Sequence, residues 1–193
     1  RYVLYAVSSR LGLGPGGEVD VVRRLADALL EQLWDGPAPT LLVRPHPKNA
    51  TALDRDFPPN VVVTAEPEFP DSDAGRRRLH GVVGHATAVI GLNTSMFIEA
   101  AISGRPVIAI ALDDEVDSDR DPSSMVHFEH LLNGKFLDRV ATPEHAAARL
   151  AELMSGKDPH HDARATFVEY FVRPLGVERP AAEVVAERLT SLG

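Results

Sequence analysis

Short runs of aliphatic residues recur at 2–7, 40–44, 61–64, 88–92 and 106–111, with helical patterns or irregular segments between them. Runs this short and rich in Val, Ile and Leu predict buried strands, and their alternation with helices predicts a parallel α/β sheet with helices on both faces. The first helical stretch carries Val19, Val22, Leu25, Leu29, Leu30 and Leu33 at spacings of three and four, while Glu18, Asp20, Arg23, Arg24 and Asp27 lie mostly off that stripe. It stops near Gly36 and Pro37.

After the second strand the chain is irregular until Pro58 and Pro59 lead into "VVVTAE". A short helix is expected from about Arg76 to Val83, and a central helix from Thr94 to Ser103, with Met96, Phe97, Ala100 and Ala101 as its apolar contacts and Gly104 as its stop. The strand "PVIAIAL" opens into an acidic loop, and a helix at 125–133, a short strand "LDRVA" and a helix at 143–155 begun by Thr142 and Pro143 follow. Two further helices are expected near 160–173 and 180–191, separated by prolines.

Composition narrows the picture. With 193 residues, 44% of them hydrophobic, the chain can bury one sizeable core. Its net charge of −8 excludes the broad basic surface that draws proteins to nucleic acid, so a bound phosphate must be held locally. The absence of cysteine excludes thiol catalysis, disulfides and cysteine metal sites, and is compatible with a cytoplasmic location. The longest apolar stretch, 87–112, is broken by Asn93, Glu99 and Arg105 and reads as strand, helix and strand, so no transmembrane segment is expected. The chain opens on Arg1 directly before a strand, which suggests part of a longer protein.

In an open parallel sheet ligands bind at the carboxyl ends of the strands, beside the point where strand order reverses. Three segments converge there: "SSRLGLGPGGE" after the first strand, "RPHPK" after the second and "GLNTS" after the fourth. Gly12, Gly14 and Gly17 match G-x-G-x-x-G, but four residues separate the strand from the first glycine, and Arg44 stands where an acidic residue should meet a ribose. A nicotinamide or flavin site is therefore disfavoured. A phosphate-facing loop using Ser9 and Gly12, or an ordinary turn, remains.

Asn93, Thr94 and Ser95 mark a strand-to-helix junction where side chains can cap the first turn while backbone N–H groups face an anion. Glu99, one turn further on, can accept hydrogen bonds from sugar hydroxyls or stay a solvated helix residue. Arg44, His46 and Lys48 can supply positive charge or N–H donors opposite that helix end and offset a diphosphate leaving group. Of the three, His46 is the stronger candidate.

"RPHP" followed by "GLNTSMFIEAAISGRPVIAI" resembles the carboxy-terminal, donor-binding Rossmann domain of GT-B glycosyltransferases. It is most like the bacterial His-Pro-motif polysaccharide enzymes: CDP-glycerol glycerophosphotransferases, CMP-sialic acid and Kdo transferases, and capsule synthesis proteins. The resemblance covers residues 1–155 and implies a nucleotide-sugar or CDP-polyol donor. It implies that His46, Thr94 and Ser95 contact the donor phosphate and that Glu99 meets the ribose. The base stays open, with cytidine the first expectation, because Asn93 stands where related sequences often carry serine or aspartate.

The same resemblance implies an acceptor domain, with the general base, on an amino-terminal Rossmann half that this chain lacks. The chain alone is then expected to bind without turnover. Residues 156–193 are expected to pack on the domain or cross to that missing half. Neither metal nor cofactor is implied, and the location is cytoplasmic or at the inner membrane face through the missing part. A sugar-nucleotide 2-epimerase and a non-catalytic nucleotide-binding module are the alternatives.

Other chemistry-bearing residues are read as decoys. Asp117, Asp119 and Asp121 alternate, as do Asp71 and Asp73, but counting from Asp117 the sixth and twelfth loop positions hold Pro122 and Phe128, not the glycine and glutamate of a calcium loop. His160 and His161 lack a third ligand, His85 lies at the amino end of its strand, and no G-x-S-x-G elbow supports a serine hydrolase. His127 and Ser124 follow the last long strand on the ligand side.

Overall fold

β1 (Tyr2–Ala6) is paired along both edges, and everything else is arranged about it. In the computed structural model, residues 1–8, 17–47, 56–64, 70–112 and 126–191 are described, without the side chains of residues 126 and 127. β1 lies between β2 (Thr40–Arg44) and β4 (Val89–Gly91). β3 (Val61–Val63) flanks β2, while β5 (Val107–Ile110) and β6 (Asp138–Val140) extend the other side. The sheet therefore runs β3-β2-β1-β4-β5-β6 with every pairing parallel, a Rossmann-like order that reverses between β1 and β4.

Alternation along the strands divides the core in two. Val3, Tyr5, Leu41, Val43, Ile90, Ile108 and Ile110 face α1 (Glu18–Glu31) and α5 (Pro143–Met154). Leu4, Ala6, Val89, Val107 and Ala109 face α3 (Met96–Ile102) and α4 (Val126–Asn133), together with the end of α2 (Asp73–His85). Arg24 of α1 binds Glu144 of α5 through two hydrogen bonds of 3.0 Å, which holds the helices of the first layer side by side.

Helix ends follow local chemistry. Trp34 donates its indole N–H to the Leu29 carbonyl at the end of α1, and Thr142 accepts from the His145 amide ahead of Pro143 at the start of α5. Gly104 ends α3 at φ +66°, and the next amide, Arg105 N–H, reaches back to the Ala100 carbonyl. α2 starts at Asp73, three residues before the expected Arg76, because Ser72 caps it by accepting from the Gly75 amide. Asp73 then pairs with Arg76 across one turn at 2.5 Å, so half of that D-x-D is a helix-start contact.

Residues 158–172 are joined to the same core. Asp138 of β6 binds Arg149 at 2.7 Å and His160 at 3.3 Å, and Arg164, 2% exposed, pairs with Asp158. Phe167 closes α6 (His161–Phe167) and stacks on Phe136 with ring centroids 4.2 Å apart, after which one π-helical turn covers Val168–Val172. α7 (Ala181–Thr190) has no buried residue. Among the described residues no helix is long and apolar enough to cross a membrane.

β4 runs so close to the end of β1 that a Cβ on Gly91 would sit 2.8 Å from the Ala6 carbonyl oxygen and 3.3 Å from Thr94 Cγ2. Both neighbours are held by the sheet and by the following turn. Gly91→Ala is therefore expected to cost about 1–3 kcal/mol, through overpacking. Thermal unfolding should show Tm lower by about 2–4 °C for each kcal/mol lost.

Candidate functional site

Two adjoining cavities lie along the carboxyl edge of the sheet. After Arg44 the chain leaves β2 through a buried Pro45, which directs His46 toward the exit of β4. His46 lines a cavity of about 400 Å³ together with Asn93, Thr94 and Ser95. A second cavity of about 190 Å³ shares His46, Thr94 and Ser95 and adds Arg44 and Glu99. Six residues singled out from sequence thus meet in one place although strands β1 and β4 and helix α2 intervene along the chain or the sheet. Lys48, Ser9, Gly12 and Gly14 lie outside the described residues, as do Ser124, the His127 side chain and Asp117, Asp119 and Asp121.

The β4–α3 junction differs from a helix capped from its first turn. α3 begins at Met96, not Thr94, because Thr94 and Ser95 form a tighter turn: Phe97 N–H donates to the Thr94 carbonyl at 3.2 Å and Ile98 N–H to the Ser95 carbonyl at 2.9 Å. The Thr94 hydroxyl accepts from Met96 N–H at 3.3 Å. Ser95 makes no capping hydrogen bond, in contrast to the expected cap, and it is exposed at the cavity.

The far wall escaped the sequence reading. His130 of α4 and Phe171 of the π-helical turn line the larger cavity, their rings 5.7 Å apart. Phe171 stacks at 4.9 Å on Phe167, so an aromatic column runs from the core to the cavity, where the Phe171 ring is 39% exposed. In the sequence His130 is one of eight histidines, and Phe171 lies in a tail helix with no cue to its partner.

A second overlooked group lies beneath the β1–β4 junction. Glu18, in the first turn of α1, accepts hydrogen bonds from Tyr5 Oη at 3.0 Å and from the Ser8 amide at 3.0 and 3.1 Å. The Ser8 hydroxyl donates to Glu18 Oε1 at 3.3 Å and accepts from the Asn93 amide at 3.4 Å. Helical periodicity counted Glu18 as a polar-face residue. Its place directly after Gly17, at the end of the first strand's loop, was the available signal.

Two other histidines take structural places. His85 Nδ1 meets the Gly81 carbonyl of its own helix at 2.7 Å, and His160 contacts Asp138. Among the described residues no three acidic or histidine side chains converge as a metal site.

No family model matches the chain, and the search of curated proteins found no relative. Solved structures do resemble it. Wall teichoic acid polymerase TagF with CDPG aligns at 18% identity and a TM-score of 0.57, over 88% of this chain and 37% of that one. CalG4, the calicheamicin glycosyltransferase, aligns at 19% and 0.54 over 96% and 42%. Spinosyn rhamnosyltransferase SpnG with thymidine diphosphate aligns at 13% and 0.50 over 89% and 42%. The fold is thus the Rossmann-like half-domain of the GT-B glycosyltransferases, and the chain spans about two fifths of the length of these structures.

Burial raises the Glu18 carboxyl from 4.5 to about 7, against the opposing pull of the Tyr5 and Ser8 hydrogen bonds. A carboxyl whose folded-state pKa is raised stabilises the fold fully below its unfolded value and loses that contribution as pH rises toward 7. Denaturant unfolding followed between those limits should show a fall in stability of at most about 3 kcal/mol from this group. Glu18→Gln should remove that part of the pH dependence.

Proposed function

We propose that this chain is the donor-binding half of a GT-B transferase that builds a surface polysaccharide or glycolipid, taking a nucleotide-sugar or CDP-polyol donor. The observation that carries this reading is that His46, from the exit of β2, and Thr94 with Ser95, from the exit of β4, line one cavity of about 400 Å³. That size lies within the roughly 300–1,000 Å³ range of small-molecule sites. The GT-B fold supports it, as do the CDPG and thymidine diphosphate in the structures of two proteins of that fold.

In this reading the His46 imidazole N–H and the Arg44 guanidinium donate to the donor phosphates, and the Thr94 and Ser95 hydroxyls hold the same oxygens. Asn93 adds its amide group, and Glu99 in the adjoining cavity accepts from the ribose hydroxyls. From the sequence alone, Lys48, Ser9 and Gly12 are further candidates for the phosphate contacts. Donors fixed in advance around the diphosphate stabilise the charge that grows on it as the glycosyl or polyol-phosphate bond breaks, so the chemistry needs neither metal nor cofactor.

Acceptor and general base belong to an amino-terminal Rossmann half of the same protein, and this chain alone binds the donor without transferring it. The complete enzyme works in the cytoplasm, at the inner membrane face where its acceptor is anchored.

Thermal unfolding with CMP, CDP, UDP, GDP and NAD tests the site. A bound nucleotide at a hundredfold excess over Kd should stabilise the fold by about 2.7 kcal/mol, with cytidine nucleotides giving the largest shift. His46→Ala and Ser95→Ala should each abolish most of it. A shift with NAD alone, or shifts that survive both substitutions, would overturn the assignment.

A further inference from the structure

Ser8 is 2% exposed and joins two things the fold keeps apart: the buried end of α1 and the loop that lines the cavities. Both Glu18 carboxylate oxygens accept from its amide, which fixes the backbone at the end of β1, and Oε1 also takes the hydroxyl proton. A serine hydroxyl has one proton. Once that proton points at Glu18, Ser8 Oγ can only accept from Asn93 N–H, the first amide after the buried Leu92 and the one that leads into Thr94 and Ser95.

Resting on the reading of the cavity as a nucleotide site, we propose that Glu18 is a positioning residue. Through the Ser8 hydroxyl it sets the Asn93 amide, and with it the Thr94–Ser95 turn that holds the donor phosphate. No part of Glu18 needs to touch the ligand, since neither cavity has it in its lining. The arrangement is directional: Tyr5 Oη donates at 3.0 Å to Glu18 Oε1, the oxygen that also takes the Ser8 hydroxyl proton, and so anchors the carboxylate, whereas the link onward to Asn93 runs through Ser8. A cluster that merely held α1 on the sheet would make Tyr5, Ser8 and Glu18 equivalent; a relay makes Ser8 and Glu18 equivalent and Tyr5 dispensable.

The raised pKa of the Glu18 carboxyl lets the relay be read directly, since the group titrates in the neutral range. Around it stand the Tyr5 hydroxyl and Ser8 from β1 and its exit. Across the β4–α3 loop, His46, His130, Arg44 and Glu99 face the cavities. The informative signal is therefore the step that Glu18→Gln removes.

Amide resonances of the labelled full chain, followed through neutral pH, should show Ser8 and Asn93 sharing a step that vanishes in Glu18→Gln. In Ser8→Ala the amide of residue 8 should keep that step while Asn93 loses it. Persistence of the Asn93 step in Ser8→Ala, or an Asn93 titration identical in wild type and Glu18→Gln, would overturn the relay. Calorimetric binding of CDP gives the functional arm: Glu18→Ala and Ser8→Ala should each weaken Kd on the order of tenfold, and the double variant no more than either. Glu18→Gln, which keeps an acceptor for the Ser8 amide, should recover much of the loss, and Tyr5→Phe should bind as wild type. Additive losses, or a Tyr5→Phe defect equal to Glu18→Ala, would reduce the cluster to scaffolding. If wild type fails to bind CDP, the donor assignment falls, whereas the amide titration still decides the relay.

Discussion

The pairing of β1 with β4 is the constraint on which the structure turns. Parallel strands need right-handed crossovers, so helices leaving two neighbouring strands toward opposite edges of the sheet must lie on opposite faces. α1 follows β1 into one hydrophobic layer and α3 follows β4 into the other, and their divergence opens the crevice occupied by His46 and Thr94. Close contact at the seam is what Gly91 permits, and the Ser8–Asn93 hydrogen bond continues it past the last paired residues.

Much of this was legible in the chain because the information was local. Five of the six strands appear as aliphatic runs, and the termini of α5 and α3 are written in Thr142, Pro143 and Gly104. His46 and "GLNTS" could be placed together because any residue following a parallel strand emerges on the same edge of the sheet. The boundaries that moved did so over side-chain detail: Ser72 lengthened α2 backward, and the tight turn at Thr94 and Ser95 shortened α3.

What stayed hidden was long-range. Nothing near Phe171 says that it stacks through Phe167 onto the core, or that His130 stands beside it at the cavity. Glu18 was misjudged because helical periodicity assigns a face but not what covers that face. Here the returning end of β1 covers the first turn of α1 with Ser8, so a residue from the polar side of the pattern is drawn inward.

The larger cavity takes its walls from four stretches of chain: the exits of β2 and β4, the body of α4 and the π-helical turn near the carboxyl end. No two of these are neighbours in sequence. Closing loops of that length is slow compared with forming any single helix, so the cavity comes into being only as folding finishes. An occupied cavity would accordingly act as a sensor of completed topology: a molecule misassembled at either end of the chain could keep most of its helices and still offer its ligand nothing to grip.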